Sequence, residues 1–172
     1  MKDKTIKDTL FKIKISDLLH ESGKEDQLVF EHKFSPQLTN LHDEGIGWIF
    51  TFQSLDSTSL LGTLTDVTAC FHEVCDSCET SFIRSVYIPS YVARFVFEDD
   101  TTKQEANESE EVIFFINKKA ETIDIEDMIV QSILLNDPFV KRCADCTKRL
   151  ADMDDDDEVF DDFASKGNVL FH

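Results

Sequence analysis

The chain opens on a strand period. In residues 9–15, "TLFKIKI", Phe11, Ile13 and Ile15 share one face and polar residues the other. "SDLLHESGK" follows, with Ser16 suited to cap a short helical turn and Gly23 to end it. "LVFEHKF" (28–34) reads as a second strand, closed by "SPQ". "IGWIFTF" (46–52) places Ile46, Trp48, Phe50 and Phe52 on one face, and "LLGTLTDVTACF" (60–71) alternates with Leu61, Val67, Ala69 and Phe71 on a common parity. The "SLDSTS" between them predicts a hairpin turn, and Gly62 predicts a bulge or a close backbone approach.

Residues 82–98, "FIRSVYIPSYVARFVFE", are dense in β-branched and aromatic residues; Pro89 must sit at a bulge or edge because it has no N–H for a central ladder. "DDTTKQEANESEE" (99–111) is acidic and nearly free of apolar residues, the pattern of a mobile loop, and "VIFFI" (112–116) predicts a last buried strand. The period then changes. In "DIEDMIVQSILL" (124–135), Ile125, Met128, Ile129, Ser132 and Ile133 recur at helical spacing. Asp124 suits the N-cap, Glu126 and Asp127 suit the N-terminal dipole, and Asn136 and Pro138 stop the helix. The pattern predicts an α+β protein: an antiparallel β-rich domain, a strongly curved sheet or partial barrel, packed with one main helix. It predicts a single domain over residues 1–150 and an acidic, disordered tail over 151–172.

Composition narrows the partners. The 172 residues carry 35 acidic against 17 basic side chains, a net charge of −18. Nucleic-acid binding draws on Lys and Arg displacing counterions, so direct contact with naked RNA is disfavoured and basic partners are favoured. The N-terminal "MKDKTIKDTLFKIKISDLL" has no uninterrupted apolar run, and no segment approaches the ~20 apolar residues of a bilayer span. The expectation is a cytoplasmic protein with no membrane contact and no small-molecule substrate.

Candidate chemistry lies in the cysteines. Cys75 and Cys78 form one Cys-x-x-Cys pair between two predicted strands, as a hairpin tip would; Cys143 and Cys146 form a second pair just after the predicted helix. Two thiolates separated by two residues bite one ion from a tight turn, and two such turns complete a closed tetrahedral zinc site. A thioredoxin-like redox pair sits instead at a helix N-terminus after a strand, which neither pair offers on this reading. Shared structural zinc is therefore preferred to redox chemistry, a disulfide or unfilled sites. Lys141, Arg142, Lys148 and Arg149 flank the second pair and would offset thiolate charge. Cys70 reads as a small buried apolar residue, and His72 as a strand residue and only secondarily a substitute ligand.

No Gly-rich phosphate loop, nucleophile elbow or His-Glu-x-x-His helix is present. A calcium loop starting at Asp152 would need Gly and an acidic residue where Asp157 and Phe163 stand. The tail reads as solvated, or as an acidic docking segment anchored by Phe160 and Phe163.

In their order, these segments resemble the YceD family, the large ribosomal RNA subunit accumulation proteins. Members show an "I…LL…G" element, a Gly-containing strand leading to Cys-x-x-Cys, an acidic loop and an "IDL…LV…LLLxxP" helix. The counterparts here are "IKISDLLHESG", "GTLTDVTACFHEVCDSCET", "EDDTTKQEANESEE" and "IDIEDMIVQSILLNDP". The match runs over about residues 10–147, and many members place a second Cys pair shortly after the Pro. "CETS" replaces the usual "CLEP", and the Gly and Asn that often surround the second pair are absent. The resemblance implies a non-enzymatic ribosome-biogenesis factor supporting accumulation or maturation of 23S rRNA, in the bacterial cytoplasm or the plastid stroma. The acidic surface adds that it would act on a basic ribosomal protein or a pre-ribosomal particle. A zinc-stapled interaction module for another basic partner is the alternative.

Overall fold

A computed structural model describes residues 11–108 and 110–154. The described residues form two compact units, 11–72 with Ile83–Asp137, and Glu73–Phe82 with 138–154. The smaller unit gathers the two cysteine-bearing stretches, both inside the single domain expected over residues 1–150. The reason is local: the two cysteine-bearing stretches bond to each other, as described below. Phe160, Phe163 and the rest of the acidic tail from residue 155 lie outside the described residues, as do residues 1–10.

In the larger unit, β2 (Glu25–Lys33), β3 (Leu41–Ser54), β4 (Ser59–Val74), β5 (Ser81–Phe97) and β6 (Ile113–Ile116) form one sheet in that order, with β4 and β5 running on into the smaller unit. β2–β3 and β3–β4 pair antiparallel. β6 pairs parallel to β5, from Arg94 opposite Ile113 to Phe97 opposite Ile116. A parallel pair needs a crossover, and the acidic segment read as a loop at 99–111 supplies it as helix α2 (Asp100–Glu108). Its start is a reciprocal cap that the polar composition hid. Thr102 N donates to Asp99 Oδ1 at 2.7 Å, and Asp99 N donates to Thr102 Oγ1 at 2.9 Å. The Thr102 amide first, and then the Thr102 hydroxyl and the Thr101 amide, hold the Asp99 carboxyl below its ordinary range.

A second, two-stranded sheet pairs β1 (Lys12–Lys14) with β7 (Thr122–Asp124), placing Ile13 opposite Ile123. Helix α1 (Ser16–Leu19) buries Leu18 and Leu19, and helix α3 (Glu126–Leu135) buries Met128, Ile129, Val130 and Ile133. These join Ile46, Trp48, Phe50, Phe52, Leu64 and Phe95 in one apolar core. Neither helix start is closed by a side chain at its N-cap, but Asp124 Oδ1 accepts the Glu126 N–H at 3.0 Å, so the acidic residue acts one position earlier than expected. At the end of α3, Arg84 pairs with Asp137 at 2.5 Å and lies over the Phe71 ring.

Bulges change which residues face the core. Leu60 and Leu64 are fully buried while Leu61 is not, so the expected parity of Leu61 with Val67 is corrected. Asp66 takes a left-handed φ of 51°, and the β3–β4 register shifts between Gly47 and Ile49. One extra residue there moves the inward set from even to odd positions, so Val67, Ala69 and Phe71 are buried beyond it. The buried set of β5 likewise changes parity between Ile88 and Ala93, across Pro89.

Gly62 marks the close approach that the sequence suggested. A Cβ there would lie 2.6 Å from Phe95 Cε2 and 3.0 Å from Phe50 Cε2. Gly62→Ala is expected to destabilise the larger unit by about 1–3 kcal/mol, because both rings are locked in the core. Urea unfolding monitored by Trp48 fluorescence checks this.

Candidate metal centre

The smaller unit is built by two turns facing one another. The first closes the tip between β4 and β5. Cys75 N donates to Thr80 O at 3.0 Å and Glu79 N to Cys75 O at 2.8 Å, with Glu79 in a left-handed conformation (φ 60°). The second is the start of helix α4 (Ala144–Asp154), where Thr147 N donates to Cys143 O at 3.0 Å. This helix was not anticipated. The cues were Cys143 as a polar start, Asp145 in the first turn and the helix-favouring "KRLADM" behind it, of which Lys148 and Arg149 read as charges flanking the Cys pair and residues from 151 as tail.

The stretch before α4 is fastened to the tip. Asp76 N donates to Lys141 O at 2.8 Å, Lys141 N donates to Asp76 Oδ2 at 2.6 Å, and Lys141 Nζ pairs with Glu73 Oε1 at 3.0 Å. Lys141, expected to offset thiolate charge, therefore also serves a carboxylate. Arg149 meets a sulfur: its Nη2 donates to Cys146 Sγ at 3.2 Å.

These bonds bring the two Cys pairs together. The sulfurs of Cys75, Cys78, Cys143 and Cys146 all lie within 4.8 Å of one another, and Cys78 Sγ is 3.7 Å from Cys143 Sγ. Tetrahedral coordination by thiolates at ~2.3 Å sets sulfurs ~3.8 Å apart, so the group is near the size that one ion demands. Cys75 and Cys146 are buried, Cys143 is half-buried and Cys78 is exposed.

The electrostatics differ from one thiol to another. The Cys143 amide donates to Cys75 Sγ at 3.3 Å, and this bond, ahead of the Ser77 and Cys78 amides, draws Cys75 down to about 6 from an ordinary 9.0. Cys78 is also lowered, first by the Thr80 hydroxyl, 3.4 Å from its sulfur. Cys146 is pushed up to about 12, first by its hydrogen bond with Cys78 and then by burial. Amide and hydroxyl donors thus favour thiolate at Cys75 and Cys78, while crowding and burial keep a proton on Cys146. A cation among the four sulfurs removes that conflict, and an all-sulfur donor set suits a soft ion. The residues fit a metal site.

The other sequence candidates lie elsewhere. His72 is outside the sulfur group; its ring sits 4.9 Å from that of His42. Cys70 is half-buried, not buried as expected, because the bulge at Asp66 turns it outward, 3.6 Å from Ser85 Oγ. Among the described residues, no helix is long and apolar enough to cross a membrane. No protein-family model, no curated protein and no solved structure matches the chain.

Proposed function

We propose that Cys75, Cys78, Cys143 and Cys146 hold one structural zinc ion in a non-enzymatic protein that supports accumulation or maturation of large-subunit 23S rRNA. One observation carries the metal reading. Among the described residues of the smaller unit, only Glu73, Cys75 and Cys146 are buried. A unit with so little buried apolar surface needs a staple, and four thiols from its two stretches lie within 4.8 Å of one another. Zinc is favoured because its d¹⁰ shell accepts tetrahedral sulfur without preference. Bound there, it would supply a cross-link between the hairpin tip and the start of α4. Four thiolates leave no position for water, so the reading assigns no catalysis to the ion.

The ribosomal reading is supported by the ordered resemblance over about residues 10–147 and by the net charge of −18, which suits a basic ribosomal protein or a pre-ribosomal particle. The working place is the cytoplasm, or the stroma in a plastid lineage. Deleting the gene should lower 23S rRNA and the large-subunit peak in sucrose gradients. A normal subunit profile would contradict this and favour the second reading, a zinc-stapled module for another basic partner, which the charge alone also supports. RNA recovered with the purified protein after ribosomal proteins are stripped would count against a protein-mediated role.

A further inference from the structure

The larger unit carries a hollow of about 550 Å³ on its sheet, where β2, β3 and β4 all leave regular pairing. That volume is within the range of ligand sites. Glycines let the strands close together around it. Gly45 has φ +72° and a Cβ there would lie 2.7 Å from Lys33 O; at Gly47 it would lie 3.1 Å from Thr68 Oγ1. His32 is also left-handed (φ 53°), and its Nδ1 lies 3.0 Å from Glu44 O.

The lining is chemically one-sided. Glu31 and Glu44 contribute carboxylates, Tyr87 an exposed ring, and Cys70 and Ser85 small polar groups; no Lys or Arg lines it. The Tyr87 hydroxyl donates to Asp66 Oδ1 at 2.6 Å, which tethers the ring by its far end. Carboxylates beside an aromatic face recognise an ammonium or guanidinium group.

A second feature points the same way. β2 ends the sheet, and no described strand pairs with its other side. It bears Glu25, Asp26 and Glu31 along its length, and Glu31 and His32 bring that edge to the hollow. An open edge accepts an extended chain through main-chain hydrogen bonds, while side-chain pockets select its sequence.

We propose that an extended segment of a basic partner protein adds to the edge of β2 and places a Lys or Arg side chain in this hollow. The proposal rests on the reading that the partner is basic, and it names the surface that reading leaves open.

The test uses the full-length, metal-loaded protein and a fluorescein-labelled peptide alternating Arg with Thr, at near-physiological salt. The Glu31→Gln/Glu44→Gln variant should bind it at least about fivefold more weakly, the factor matching the upper range of a solvent-facing ion pair. Glu110→Gln/Asp152→Asn, which removes the same charge elsewhere, should bind as wild type does. Saturating peptide should also slow alkylation of Cys70 by iodoacetamide. If both double variants weaken equally, or if Cys70 is unprotected at saturation, the surface is overturned while the basic-partner reading stands. Failure of the wild type to bind any Arg- or Lys-rich peptide overturns both.

Discussion

Cys75→Ser is expected to abolish stoichiometric metal binding and to unfold residues 73–82 and 138–154 while the five-stranded sheet persists. The two units have different sources of stability. The larger one buries Trp48, Phe50, Leu64, Phe95, Ile129 and their neighbours in a single apolar core. The smaller one buries Glu73, Cys75 and Cys146 among its described residues, with hydrogen bonds that water could replace. On the metal reading, its folding free energy would come largely from the ion; apparent zinc-binding free energies in finger peptides reach about 10–16 kcal/mol. Cys75 is the severest position to change, because it is 1 % exposed and accepts the Cys143 amide that joins the two turns. Hydrogen exchange should show the amides of Asp76 and Lys141 losing protection while those of β3 keep it. A chelator acting on wild type should give the same pattern. Unchanged protection in both experiments would show that the smaller unit stands without metal.

Phe50→Ala is expected to destabilise the larger unit by about 3–5 kcal/mol, the cost of removing a large aromatic from a closed core. Phe50 is fully buried, stacks on Phe52 at 5.3 Å and meets Phe95 edge-on at 6.3 Å. The absent Cβ of Gly62 makes room for two of these rings, so the cavity would be flanked by backbone that cannot collapse into it. Thermal unfolding should shift down by roughly 10 °C or more. The metal content should stay at the wild-type level, since Phe50 belongs to the larger unit. A shift of less than about 1 kcal/mol would mean that the core repacks, against the close-packing on which the estimate stands.

β3 was legible because Ile46, Trp48, Phe50 and Phe52 bury one face without a break, so "IGWIFTF" carried its own register. Legibility failed where the period broke. Asp66 adds a residue to β4 and reverses its inward set, which no alternation count across Leu61 and Val67 reveals. β1 was legible from the alternation of Phe11, Ile13 and Ile15, but its partner β7 is three residues long, too short for a period, and only its last residue, Asp124, was read, as the cap of the helix that follows. Helices α2 and α4 lie in polar, charged stretches where hydrophobic spacing is silent; the Asp99–Thr102 cap was the readable cue for α2. The four ligand candidates were visible as two pairs, but their meeting was not, since it depends on Lys141 and Asp76 tying one turn to the other. The hollow left only the Gly45–Gly47 spacing as a trace. It is made by backbone departures, and its carboxylates come from separate strands.

X-ray absorption at the zinc edge of the full-length protein tests the central claim most directly. One zinc per chain with four sulfur neighbours at ~2.3 Å is the expected result. Substoichiometric metal, or a shell containing fewer than four sulfurs, would contradict a closed site formed by Cys75, Cys78, Cys143 and Cys146.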